Sequence, residues 1–156
     1  MAIALLTAFV LASVVRGFVA DVYWVGSDSM EPTLQGGDRV LVDKLVSGND
    51  VARGELVVFD GRGSLDPLHS TDPWHQQVAH TLGRWLGVTG SDTAYVKRVI
   101  GVAGDTVSCC TAGGLVTVNG RPQHEDYVFP GDEPSRIPFT VHVPEGRVWL
   151  MGDHRS

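Results

Sequence analysis

Turn-forming residues cut this chain into pieces too short for long helices. Gly36-Gly37-Asp38, Gly101, Gly104-Asp105, Gly113-Gly114, Asn119-Gly120 and Pro144-Glu145-Gly146 each stand at the edge of a short apolar run, and nineteen glycines and eight prolines are spread over the 156 residues. Between these breaks, Val40 and Val42 alternate with polar neighbours over residues 39–44, the period of a half-buried strand. Residues 55–60, 95–100, 106–109, 115–118, 139–143 and 147–151 give further strand segments. Gly113-Gly114 joins two of them as a hairpin, and Asn119-Gly120 adds another tight turn. The segments 139–143 and 147–151 read as a final strand pair. The expected fold is mainly β, antiparallel sheets of short strands behind one apolar N-terminal helix, in a chain long enough for one domain with a real core.

The exception to this punctuation is the start. Residues 1–15 carry no charged side chain before Arg16. As a helix they span ~22 Å, against a bilayer core of ~30 Å. No basic residue precedes the run and no clear small-residue cleavage site follows it, which argues against a signal-peptide core. It also lacks the polar face of a helix packed on a soluble core. The remaining reading is an incomplete membrane anchor over residues 1–20, with Arg16 snorkelling and Tyr23 and Trp24 at the membrane–water boundary. Residues 21–156 then form the second domain. It carries a surface insertion at about 61–93, in which Val78, Leu82, Trp85 and Leu86 share one helical face.

Several function classes fall away. A formal net charge of −6 without a basic cluster argues against nucleic acid as partner. His69, His75 and His80 are six and five residues apart, which is not the one-face spacing of a helical zinc site, so no metal or cofactor is expected. Cys109 and Cys110 are adjacent and read as two small semi-buried side chains, with a strained bond between them as the lesser alternative.

Chemistry concentrates at Ser27-Asp28-Ser29-Met30-Glu31-Pro32. Alternate residues of an extended segment point the same way, so Ser27 and Ser29 present their hydroxyls together, and Pro32 stiffens the turn behind them. No G-x-S-x-G elbow accompanies these serines, which weakens a Ser-His-Asp reading. The strand at 95–100 carries two adjacent bases on opposite faces, Lys97 with Tyr95 and Val99, Arg98 with Val96 and Ile100. Periodicity does not choose which faces inward. Burial can strip a proton from lysine but not from arginine, so only Lys97 can serve as a base to a serine nucleophile.

These segments resemble, in order, the motifs of type I signal peptidases (leader peptidases). Ser27-Asp28-Ser29-Met30-Glu31-Pro32-Thr33-Leu34 is similar to the family's serine box and Gly37-Asp38-Arg39-Val40-Leu41-Val42-Asp43-Lys44 to the next. Residues 95–105 resemble the lysine box, and Met151-Gly152-Asp153-His154-Arg155 the start of the last. The lysine matches the bacterial type, since the endoplasmic-reticulum relatives carry histidine there. The resemblance implies the signal-peptidase β fold, Ser29 as nucleophile, Lys97 as general base, and an oxyanion hole from the Ser29 N–H and the Ser27 hydroxyl. It implies structural positions near the site at Gly152, Asp153 and Arg155, no cofactor, and a monomer. It further implies signal-peptide-bearing preproteins and the lipid bilayer as partners, and a catalytic domain on the extracytoplasmic side of the bacterial plasma membrane.

Two departures stand out. The family's last motif runs on to a further serine and an Asp-Ser-Arg cluster, so the sequence is expected to be a fragment. His154 stands where common members have Asn. The competing readings are a non-catalytic, membrane-tethered peptide-binding domain and a specialised Ser-Lys peptidase of the pilin-processing or self-cleaving repressor type.

Overall fold

A computed structural model describes residues 2–46, 50–61 and 94–155. The insertion at 61–93, with its three histidines and its expected helical face, lies outside the described residues apart from Gly61. Among the described residues one helix, α1 (Ala2–Phe18), precedes nine short strands. They are β1 (Ala20–Trp24), β2 (Arg39–Asp43), β3 (Leu56–Asp60), β4 (Ala94–Gly101), β5 (Thr106–Cys109), β6 (Thr117–Val118), β7 (Arg121–Pro122), β8 (Phe139–His142) and β9 (Trp149–Met151). Every pairing among them is antiparallel, as the density of turn residues predicts.

The strands divide into a hairpin β1-β2, a three-stranded sheet β3-β4-β9, and a four-stranded sheet β7-β6-β5-β8. Two corrections to the sequence reading follow. Residues 20–24, to which the sequence reading gave no strand, form one paired with β2 from Ala20 opposite Asp43 to Trp24 opposite Arg39. The segments 139–143 and 147–151 do not pair with each other. β8 lies on β5 and β9 on β4, because each three- or four-residue strand is stabilised by a neighbour that is already part of a sheet. The two still meet through side chains, Phe139 and Trp149 packing with ring centroids 5.3 Å apart.

The core sits where the two larger sheets face one another: Ile100, Val107, Cys109, Val116, Val118 and Val143 are buried there, with Phe139, Trp149 and Met151 packed around them. Gly101 permits this approach, since a Cβ there would lie 2.5 Å from Val107 Cγ2. Cys109 is buried at the end of β5 and Cys110 beside it is exposed, their sulfur atoms adjacent. β5 ends at Cys109, so the alternation that sends successive side chains to opposite faces does not extend to Cys110.

α1 packs little of itself. Ile3, Leu6, Phe9, Leu11 and Phe18 are each more than half exposed. Its few polar side chains are satisfied within the helix, Thr7 and Ser13 donating to the Ile3 and Phe9 carbonyls at 2.8 Å. At seventeen residues, neither α1 nor any other helix among the described residues is long and apolar enough to cross a membrane.

Candidate active site

The serine segment is held at both ends. Val25 is buried and extends the hairpin, donating to the Asp38 carbonyl at 2.9 Å and accepting from Gly37 N at 2.8 Å. Met30 is 1% exposed, a side chain driven into the protein directly beside Ser29. Behind it the chain turns, Glu31 N bonding Asp28 O and Leu34 N bonding Met30 O at 2.9 Å each. The Ser27 and Ser29 hydroxyls lie 3.1 Å apart, on one side of the segment.

Lys97 lies on β4, the central strand of its sheet, opposite Val57 of β3. Its Nζ hydrogen-bonds Ser29 Oγ at 2.5 Å, across 68 residues of sequence. Burial pushes the amine below the ordinary lysine value, and the negative charge of Asp153 pulls it partly back. Strand alternation sends Arg98 the other way. Arg98 Nε and Nη2 donate to the two carboxylate oxygens of Asp153 at 2.8 and 2.5 Å, and Thr33 Oγ1 donates to the same group at 2.5 Å. Asp153 has no exposed surface. Its hydrogen bonds hold the guanidinium charged even against burial, and the buried carboxylate is therefore matched by Arg98 and not by Lys97. Lys97 is left with a hydroxyl for a partner and a partly dry setting, which favours the uncharged form of the amine.

The segment after β9 closes over these groups. A Cβ on Gly152 would lie 2.5 Å from Ser29 O and 3.5 Å from Lys97 Nζ, so this position admits no side chain without displacing the backbone that carries Ser29. His154 N donates to Ser29 O at 3.2 Å. Arg155 Nε donates to the Gly152 carbonyl at 2.8 Å, and its guanidinium pairs with Glu125 at 2.6 and 3.1 Å. Ser27, Ser29, Lys97, Gly152, Asp153 and Arg155 are thus drawn from three stretches of chain into one neighbourhood.

Sequence reasoning missed a further stretch, residues 125–134, which belongs to no strand. Tyr127 lies with its ring 4.0 Å from the Arg98 guanidinium carbon, and its hydroxyl donates to Glu125, which raises the phenol pKa further than burial alone. Phe129 N donates to the Asp153 carbonyl at 2.9 Å. The only signal in the sequence was two aromatics inside an otherwise polar, proline-bearing loop. An apolar cavity of about 660 Å³ opens between the hairpin and the β3-β4-β9 sheet, lined among others by Leu34, Val40, Val58, Val96 and Leu150. Leu34 follows the serine turn, and Val96 immediately precedes Lys97. Among the described residues no group of three or more His, Cys, Asp or Glu is arranged to hold a metal ion.

The family model described as "Signal peptidase, peptidase S26" matches residues 1–156. The chain is 39% identical over 168 residues to a signal peptidase I of Mycobacterium tuberculosis (strain H37Rv), an alignment that takes in 96% of this chain and 57% of that protein. It is 36% identical over 173 residues to a probable signal peptidase I of Mycobacterium leprae, covering 99% of this chain and 60% of the relative. A signal peptidase I of Bacillus licheniformis is 30% identical over 162 residues, with 98% and 72% covered. The chain therefore spans less than two thirds of the length of the mycobacterial proteins it matches.

Proposed function

This chain belongs to the peptidase S26 family of signal peptidases, and from that premise and its geometry we propose that it is a serine endopeptidase removing N-terminal signal peptides from exported preproteins. The observation that carries the reading is the 2.5 Å approach of Lys97 Nζ to Ser29 Oγ, made by an amine whose pKa burial lowers and whose nearest carboxylate is occupied by Arg98.

In this reading, neutral Lys97 takes the proton as Ser29 Oγ attacks the scissile carbonyl carbon. The oxyanion receives the Ser29 N–H and the Ser27 hydroxyl, each such donor contributing ~3 kcal/mol to the transition state. The tetrahedral adduct collapses as the Lys97 ammonium returns the proton to the leaving amine, giving an acyl-enzyme on Ser29. Lys97 then deprotonates a water, which attacks the ester, and returns that proton to Ser29 Oγ as the signal peptide leaves with a new terminal carboxyl group. An extended substrate lies beside the strands that carry Ser29 and Lys97, where backbone pairing supplies affinity and shallow pockets admit small side chains.

The chain works at a bacterial plasma membrane with its β domain on the extracytoplasmic side. The exposed apolar flank of α1 and its internally satisfied hydroxyls support contact with lipid. The test is covalent: a serine-directed acylating inhibitor is expected to label the wild-type protein at Ser29, and to leave the Ser29→Ala protein unlabelled. Equal labelling of both would remove Ser29 from the mechanism, and failure of every such reagent on folded wild type would favour a peptide-binding module.

A further inference from the structure

Residues 125–134 form no strand, yet they meet the end of the chain repeatedly. Phe129 N donates to Asp153 O, and the Phe129 ring stacks on the His154 ring with centroids 4.5 Å apart and planes 22° from parallel. Asp132 Oδ2 accepts from Arg155 N at 2.6 Å and stands 3.7 Å from His154 Nε2. His154 in turn donates its backbone N–H to the Ser29 carbonyl. A single residue therefore separates the Phe129 ring from the peptide group of Ser29.

That N–H···O bond, at 3.2 Å, is at the long end of its range and has little grip of its own. What keeps its donor in place is the environment of His154: the aromatic stack on one side, Asp132 and the Arg155 amide on the other. Turning the His154 peptide would release the Ser29 carbonyl, and with it the direction in which the Ser29 hydroxyl points. We propose that the Phe129–His154 stack is a brace that fixes the orientation of Ser29 toward Lys97, which makes Phe129 and His154 positioning residues. The inference rests on the reading of Ser29 as nucleophile for its catalytic consequence, but the brace itself is a statement about structure. A tyrosine at 154 would keep the flat ring and the backbone N–H, whereas alanine would keep only the N–H.

The experiment uses the full chain as Phe129→Ala, His154→Ala, the double variant and His154→Tyr, read by amide hydrogen exchange and by precursor cleavage. Phe129→Ala is expected to speed exchange across residues 152–155 and 27–31 by about 10-fold or more while β5 and β8 keep wild-type protection. Its kcat should fall roughly 10- to 100-fold with KM little changed, the mark of a misaimed nucleophile. The double variant should be no worse than either single one, because both remove the same brace. His154→Tyr should recover kcat to within ~3-fold of wild type, since the offset ring stack survives. Unchanged exchange at 27–31, a loss spread evenly over the core with a matching fall in Tm, or a double variant showing the product of the single losses would each overturn the brace. Should Ser29 resist acylation in the wild type, the exchange data still decide the brace, and the failure belongs to the peptidase reading.

Discussion

Two aspartates are the buried charged residues of the described protein, Asp105 at 4% exposure and Asp153 at 0%, and each is answered by an arginine. Arg53 forks onto Asp105, with Nε at 2.7 Å and Nη2 closer still, while Val102 N and Asn119 Nδ2 donate at 2.8 and 2.9 Å. Burial pushes the Asp105 pKa up, but the Arg53 bonds and the two further donors outweigh it and hold the carboxyl below its ordinary value. This cluster ties the turn between β4 and β5 to its neighbours. Asp153 uses the same device for a different end. Its partners, Thr33 and Arg98, come from the serine turn and the lysine strand, and its chain neighbour Gly152 lies against both Ser29 O and Lys97 Nζ. Arg53 keeps 45% of its side chain exposed and Arg98 only 12%. One carboxylate locks a turn near solvent; the other ties the serine turn to the lysine strand, and its negative charge, which favours protonated Lys97, is answered by Arg98.

The sharpest way to break this contrast is at the base. Lys97→Ala is expected to lower precursor cleavage by about 10³-fold or more, while Asp105→Asn leaves kcat within ~2-fold of wild type. Retained cleavage in the lysine variant would mean another group takes the proton. The two glycines beside the aspartates come next. Gly152→Ala places a methyl against the Ser29 backbone and should cost on the order of 10²-fold in kcat. Gly104→Ala, at φ 84° beside Asp105, should cost ~1 kcal/mol of stability or somewhat more and leave kcat alone, as denaturant titration beside the cleavage assay would show.

The arginines separate the clusters more gently. Arg98→Ala strands a buried carboxylate, a loss of ~3–5 kcal/mol when a pair is fully desolvated. The unanswered negative charge also raises the Lys97 pKa, so the acid limb of the pH–rate profile moves to higher pH; Asp153→Asn moves it the opposite way. Arg53→Ala, at a half-exposed site, should cost far less and leave the profile unmoved. The smallest effect is acid stability. Because the folded Asp105 pKa lies below its unfolded value near 3.9, its contribution is full above that value and fades as pH falls through the folded pKa. Asp105→Asn should flatten that part of a Tm-against-pH curve.

Much of this contrast was legible in the sequence, and the illegible part has a common cause. The alternation of Val40 and Val42, and the bases at 97 and 98, report strand faces directly, because side-chain direction is a local property. The serine and lysine segments were readable as motifs, although their meeting was an inference from family resemblance. Which base faces Ser29 was not readable from the residues alone, since it depends on how β3 and β9 flank β4. The separate destinations of β8 and β9 are likewise tertiary choices made outside either segment. Phe129 and Asp132 escaped notice because they act through a backbone amide, a stacked ring and an Asx-type acceptor, none of which leaves a period in the sequence. β1 was not readable as a strand because its Tyr23 and Trp24 equally suit a membrane–water boundary.

One short link has a mechanical meaning. Val19 alone separates α1 from β1, and its carbonyl is held by Lys44 N at 2.9 Å, so the join is no free swivel. With α1 seated in lipid as proposed, the β domain rides on a leash of no slack. β1 advances ~17 Å over its five residues, and Ser29 comes five residues after β1 ends. The reach of the hydroxyl above the bilayer is then set by a strand and a turn, and only bonds emerging at that height come within range.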